Sequence, residues 1–245
     1  MSRIKGFLIT GFICLFMAIS LDAYGLQFDD ILKSAKERIG MGSLSDDEVI
    51  RGLKEALEVG TSNAVEKVSK LGGYYKNPEI RIPLPGQVQK VEKVLRVAGY
   101  GSEIDAFEVS MNRAAERAAP QAKSIFWDAI KKMSFSDARK ILQGKDDAAT
   151  LYFKEHTLPQ LSEMGKPVVH KAMSEVGVTR SYQELDAKAR AIPFAGGFSF
   201  DLDEYVTGKA LDGLFLMLAQ EEKKIREDPA ARVTDLLKKV FGSRQ

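Results

Sequence analysis

The sequence of 245 residues predicts an all-α fold, a single-domain bundle of several helices with a proline-rich extended strap and a central apolar helix. Apolar residues recur every three or four positions along most of the chain, which is the period of one helix face. Serine, threonine and aspartate precede these stretches and glycine follows them, as is typical of helix ends. The sequence lacks paired segments of alternating apolar and polar residues, which would indicate a sheet.

The first half of the chain contains four predicted helical stretches. Ser45 and Glu48 form a capping box ahead of the first, and Gly72 and Gly73 end it. The next three are recognised by their apolar positions, which are Val88, Val91, Val94, Leu95 and Ala98, then Ile104, Phe107, Met111, Ala114, Ala115 and Ala118, then Ile125, Phe126, Ala129, Ile130 and Met133. Pro120 is expected to interrupt or kink the chain between the last two.

Four further helix starts are predicted in the second half of the chain. They lie within residues 134–137, 157–160, 181–184 and 228–229. Gly144 and Gly177 are the expected stops of the first two helices. Gly165 and Pro167 are expected to bend the helix that begins near residue 157, because proline removes a backbone hydrogen bond.

Residues 203–226 are predicted to form the central helix. Residues 210–219 are apolar on almost every side apart from Asp212, and a helix that is apolar all round is a buried one. The charged residues 220–226 are expected to emerge into solvent. Two segments break the helical pattern. Residues 80–85 alternate apolar residues with Arg81, Pro83 and Pro85, and they predict an extended strap laid across helices, because the prolines bar a central strand. Residues 192–200 predict a loop rich in glycine and phenylalanine.

The N-terminus is typical of a secretory signal peptide. Arg3 and Lys5 make a basic start, an apolar run follows, and Ala23 and Gly25 are small residues before a cleavage site. We therefore expect a periplasmic or envelope-associated protein with no stable membrane span after cleavage; retention as an uncleaved anchor is the alternative. The predicted organisation is a cleaved signal peptide at 1–25, a lead-in helix and loop at 26–44 and a helical domain at 45–245.

Cysteine content and charge exclude several classes of function. Cys14 is the single cysteine and lies in the predicted signal peptide, so the mature chain would have no disulfide or thiolate chemistry. The formal net charge is +2, and it becomes +1 without residues 1–25, which hold two basic residues and one acidic residue. No basic excess is available to neutralise phosphates, and we expect no nucleic-acid partner.

Four segments carry a resemblance to a known family. Residues 77–85, 110–116, 144–150 and 205–217 occur in the order found in the bacterial family called domain of unknown function 4197. The chain resembles this family from roughly Gly52 to Phe241. The resemblance implies an exported, helical, envelope-associated protein and supplies no catalytic residues. Residues 192–200 are not part of the family pattern.

Reactive motifs are absent from the sequence. His156 and His170 fit no metal-binding spacing, and neither a serine nucleophile elbow nor a glycine-rich phosphate loop is present. A calcium site within residues 201–204 is conceivable, but Val206 stands where the calcium loop needs glycine. Helix capping explains the acidic pairs better. We therefore expect no catalytic residue, no metal and no cofactor.

Several polar residues in apolar surroundings have two interpretations. One is an internal polar network, in which a partly buried Arg113 finds Asp212 as its carboxylate. The other is a cleft that holds the polar head of a ligand. The candidate ligand-binding residues are Arg81, Asn112, Arg113, Lys209 and Asp212, with Phe194, Phe198 and Phe200 as a possible lid.

The leading functional hypothesis is a non-enzymatic protein that binds or carries a hydrophobic or amphipathic ligand such as a lipid. Its basis is the predicted export, the apolar helical interior and the adaptable methionines Met111, Met164, Met173 and Met217. One alternative is a helical scaffold that binds another envelope protein through residues 80–85 or the last helix. A second alternative is an unrecognised hydrolase, which would need a cleft with a strongly perturbed acid or base.

Overall fold

A computed structural model describes residues 45–191 and 197–232, with Thr234, Asp235, Lys238 and Val240. The predicted signal peptide and lead-in, and Phe194 of the proposed lid, lie outside the described residues. Eight helices have fully described bounds, and the all-α prediction is confirmed because these residues contain no β-strand. The helices are α1 (Asp46–Ser69), α2 (Gly86–Val97), α3 (Gly101–Ala118), α4 (Ala122–Lys132), α5 (Phe135–Gln143), α6 (Ala148–Glu175), α7 (Val178–Ala191) and α8 (Leu202–Glu227).

The predicted capping box at Ser45 is confirmed, and the helix start predicted within residues 134–137 is also a capping box. The Ser45 hydroxyl accepts the Glu48 N–H at 3.3 Å, and the Glu48 carboxylate accepts the Ser45 N–H at 2.9 Å. Ser134 and Asp137 form the same reciprocal pair ahead of α5. These bonds satisfy N–H groups that have no partner inside the helix, and they fix where α1 and α5 begin. Between α3 and α4, Pro120 lies in a short 3-10 turn (Ala119–Gln121), which is the predicted interruption.

The start of α6 was predicted too late. The helix begins at Ala148, not near residue 157, and it continues through both Pro159 and Pro167. The physical reason lies far along the chain: the Glu222 carboxylate accepts the N–H groups of Ala149 and Thr150, each at 2.9 Å. A distant side chain thus caps the helix, and no local pattern announces it. Likewise α7 begins at Val178, directly after Gly177 with φ +82°, three residues before the predicted start at residue 181.

Helix α8 is the central apolar helix that the sequence predicts. It packs against α1 and α6, while α4 also packs against both of these helices. The Phe126 ring of α4 lies edge-on to Phe153 of α6 at 5.4 Å and to Phe215 of α8 at 5.9 Å, and so joins three helices in the core. One face of α8 remains exposed at Asp212 and Leu216.

The charged end of α8 emerges into solvent only in part: Lys223 and Lys224 are exposed as predicted, whereas the two glutamates before them are buried. Glu221 and Glu222 are only 3% and 8% exposed, because both carboxylates have partners inside the fold. Glu221 accepts hydrogen bonds from Lys67 and Asn63 of α1. Glu222 pairs with Arg226 at 2.8 Å and also caps α6. Burial of these charges is tolerated because each is paired and hydrogen-bonded.

The proline-rich strap is confirmed. Residues 80–85 are non-helical, and Ile80, Ile82 and Leu84 are buried against the bundle. At Gly213 of α8, a Cβ atom would lie 2.8 Å from Tyr74 Cε1 and 3.0 Å from Ile80 Cβ. The glycine is therefore what allows α8 to approach the strap so closely. Within the residues described, no helix is long and apolar enough to cross a membrane.

Candidate functional site

The structure does not bring the predicted charged residues into one cleft. Asp212 was expected to partner Arg113, and this is wrong: its side chain is 68% exposed and lies 3.6 Å from Lys209 on the same helix. Arg113 instead donates to Glu116, one turn along α3, at 3.2 Å. Arg81 makes two hydrogen bonds to Glu108, at 2.9 and 2.7 Å. Arg81, Arg113 and Asp212 therefore each pair with a different charged side chain, and the three pairs do not form one site.

Asn112 and Glu116 hold the strap and the turn before it. Asn112 is fully buried; its Oδ1 accepts the Ile82 N–H at 2.8 Å and its Nδ2 donates to the Ile82 carbonyl at 2.9 Å. Glu116, which the sequence analysis missed, accepts the N–H groups of Tyr74 and Tyr75 at 3.1 and 3.2 Å. The backbone groups that they bond lie outside the helices and would otherwise need water as a partner. Asn112 and Glu116 therefore hold the strap and the turn before it in place.

The described part of the phenylalanine-rich loop packs onto α7. Phe198 is 7% exposed, and its ring centroid lies 5.9 Å from that of Tyr182. Phe200 contacts the same tyrosine edge-on at 5.4 Å. The Asp186 carboxylate accepts the Phe198 N–H. The two phenylalanines thus form an aromatic cluster with Tyr182. Neither of them lines the apolar cleft that lies between α3, α4, α6 and α8.

An apolar cleft lies between α3, α4, α6 and α8. Its volume is about 110 Å³, and it is partly open to solvent. Small side chains make much of the wall, which is why the four helices leave space between them. The wall includes Ala118, Ala122, Leu161, Gly165, Ala210 and Leu214. Met164, one of the methionines singled out by the sequence, lies at the rim and is 52% exposed.

Three hydroxyl-bearing residues line the cleft, and one of them, Ser124, donates to the Gln121 carbonyl at 3.2 Å. Tyr74 donates to the Ala210 carbonyl at 2.7 Å, and burial, reinforced by the negative charge of Glu116, raises the pKa of Tyr74 far above its usual value. Thr207 is 5% exposed, and its Oγ1 has no hydrogen-bond partner in the part of the chain that is described. Such an atom is uncommon; the other described case is Trp127 Nε1. No spacing rule in the sequence identifies Thr207.

The chemistry of the lining favours non-covalent binding. The side chains that line the cleft include no carboxylate, histidine or lysine within the described residues. Tyr74 is held neutral and already donates its proton, so it is not available as a base. Across the described ranges, no group of three or more His, Cys, Asp or Glu side chains is placed to hold a metal ion. Asp201 caps α8 by accepting the Glu204 N–H at 2.9 Å, as the capping interpretation expected.

The fold and the cleft together define an all-α protein with an apolar opening among four of its helices. Residues 43–242 match the model of the family described as protein of unknown function (DUF4197), and the chain belongs to this family. The resemblance inferred from the four sequence segments is therefore confirmed. Comparison with curated proteins and with solved structures finds no match in either set.

Proposed function

We propose that this protein is a non-enzymatic binding or carrier protein of the cell envelope, and that it holds a small hydrophobic or amphipathic molecule, such as a lipid, in the apolar cleft. The observation that carries this proposal is the unpartnered Thr207 hydroxyl within apolar walls. A buried hydroxyl without a partner costs about 1–3 kcal/mol. If Thr207 rotates to present its hydroxyl to the cleft, a ligand with an acceptor atom would recover that cost while its apolar part fills the cleft.

The size of the cleft limits what enters it. An engineered apolar cavity of about 150 Å³ holds one benzene ring, so the 110 Å³ here suits one chain end or one small ring. Because the cleft is partly open, the rest of the ligand would lie outside, at the rim near Met164. The flexible methionine side chain adapts to ligands of different shape.

The two alternatives receive less support from the described residues. A hydrolase requires an acid or base beside its substrate, and the cleft lining supplies none in these ranges. A scaffold that docks through the strap would need an apolar surface there, but Ile80, Ile82 and Leu84 are each 5% exposed or less. Binding in the cleft is therefore the function that we propose.

Native mass spectrometry of protein purified from its own cell envelope tests the proposal. We expect a discrete added mass that is released on denaturation and proves to be a hydrophobic or amphipathic molecule. Ala210→Leu, which fills the cleft, should abolish the added mass, whereas Ala98→Leu at an exposed position should retain it. An unliganded mass for the wild-type protein, with no uptake of added decanoate or decanol, would overturn the proposal.

A further inference from the structure

A charged groove adjoins the apolar cleft. Arg117 of α3 and Lys171 and Glu175 of α6 line the groove, which has a volume of about 390 Å³. Gln121 and Val168 line both the groove and the cleft. The groove and the cleft are therefore neighbours that share these two side chains. We call this junction the mouth of the cleft, and a ligand that fills the cleft would extend past it into the groove.

The groove carries one uncompensated positive charge. Arg117 donates to the Glu175 carboxylate at 3.0 Å, so these two charges neutralise each other. Lys171 is exposed, and among the described residues its ammonium group has no carboxylate partner. It follows Val168 by three positions, which places both residues on the same face of α6. A long, flexible lysine side chain can turn toward the mouth of the cleft.

Thr207 of α8 lies beside α6 in the cleft. A Cβ atom on Gly165 would be 3.6 Å from Thr207 Cγ2, so Thr207 packs against α6 one turn before Val168. A chain that enters past Val168 would therefore pass Thr207 on its way toward Leu161 and Leu214. A carboxylate left outside the cleft would have acceptor atoms for the Lys171 ammonium.

We propose that the ligand is a single-chain amphiphile with one anionic head group, a carboxylate of the fatty-acid type. The head binds at the mouth beside Lys171, and the chain passes Gln121 and Val168 into the cleft. The narrow cleft excludes a second chain, and the groove's net charge of one matches a monoanion. This inference rests on the proposed function, because it names the ligand of the same cleft.

Isothermal titration calorimetry with three ten-carbon probes tests the inference. Decanoate, 1-decanol and decyltrimethylammonium share the chain and differ in the charge of the head. We expect decanoate to bind about two- to fivefold more tightly than decanol, as one exposed charge pair allows, and decyltrimethylammonium to bind most weakly. Because the charge pair is exposed to solvent, the preference for decanoate should shrink at about 0.5 M salt.

Variants at Lys171 separate this inference from the proposed function. Lys171→Gln should remove the preference for decanoate without changing the binding of decanol, and Lys171→Glu should reverse the preference toward decyltrimethylammonium. Lys154→Gln, at an exposed position of α6 outside both linings, should bind like the wild type. Equal binding of decanoate and decanol would overturn the anionic head group and leave the proposed function standing. If none of the three probes bound, both would be overturned.

Discussion

The two halves of α8 are packed differently against the rest of the bundle. The first half, with Thr207, Ala210 and Leu214, borders the apolar cleft of about 110 Å³ and leaves a hydroxyl without a partner. The second half borders a gap of only about 20 Å³ and buries Glu222 and Arg226 as a hydrogen-bonded pair. The first half is thus loosely packed on the side that faces the cleft, although Gly213 packs closely against the strap, and the second half is closely packed where its charges are buried. The difference predicts that breaking the buried ion pair of the second half costs more stability than changing the lining of the cleft.

The largest loss of stability is expected when the buried ion pair in the second half of α8 is removed. Glu222→Ala leaves the Arg226 guanidinium without its carboxylate in a buried site and removes the cap of α6. We expect the free energy of unfolding to fall by about 3–5 kcal/mol in urea titrations. Glu227→Ala, on the same helix, removes a carboxylate that is 58% exposed and should cost less than about 0.5 kcal/mol. Equal losses for the two variants would contradict the contrast between the halves.

Two glycines of α8 test how closely the helix approaches the strap. At Gly213 a new Cβ would collide with Tyr74 and Ile80, so Gly213→Ala should destabilise the protein by about 1–3 kcal/mol. At Gly208 a new Cβ would meet nothing within 4 Å. Gly208→Ala should therefore stabilise it by about 0.5–1 kcal/mol, because alanine is the better helix former. Thermal unfolding of both variants measures the two signs, and a stabilising Gly213→Ala would show that the strap is not tightly packed.

The unpartnered hydroxyl predicts a gain in stability. Thr207→Val removes a polar atom that has no partner and keeps the shape of the side chain, so the ligand-free protein should gain about 1 kcal/mol. Thr61→Val is the matched control, because that buried hydroxyl donates to the Leu57 carbonyl at 2.7 Å. The control should lose about 0.5–1 kcal/mol in the same urea titration. A loss of stability in Thr207→Val would mean that its hydroxyl has a partner.

The smallest effect concerns the N-terminus of α8 and depends on pH. Hydrogen bonding to Lys166 and to the Glu204 N–H holds the pKa of Asp201 below its usual value. Its contribution to stability is therefore complete above the ordinary aspartate value of about 3.9, and it is lost as the pH falls from there through the lowered pKa.

Asp201→Asn keeps a capping side chain and removes the charge, so it isolates this contribution. We expect it to cost less than about 1 kcal/mol at pH 7, since the pair with Lys166 is exposed, and to cost less at about pH 2 than at pH 7. Urea titrations at the two pH values measure the difference. Asp212→Asn, at an exposed position of the same helix, is the control and should change the free energy of unfolding by less than about 0.5 kcal/mol at pH 7. A cost for Asp201→Asn that stayed the same at both values would contradict the charge effect.

The helices could be predicted from the sequence because their signals are local. The boxes at Ser45 and Ser134 and the apolar period each lie within a few residues of what they determine. The start of α6 and the burial of Glu222 could not be predicted, since their partners are more than seventy residues apart in the chain. The cleft was hidden for a related reason. Periodicity shows which faces are apolar, but the space left between small side chains such as Ala118 and Gly165 depends on how helices meet.

The long-range cap of α6 has a consequence for how the chain is made. The carboxylate that caps the N–H groups of Ala149 and Thr150 belongs to Glu222, which is synthesised 72 residues after Thr150. A nascent chain that has not yet reached Glu222 lacks both this cap and the end of α8, the helix against which α1 and α6 pack. The start of α6 can therefore be fixed only after α8 has been synthesised and packs beside it.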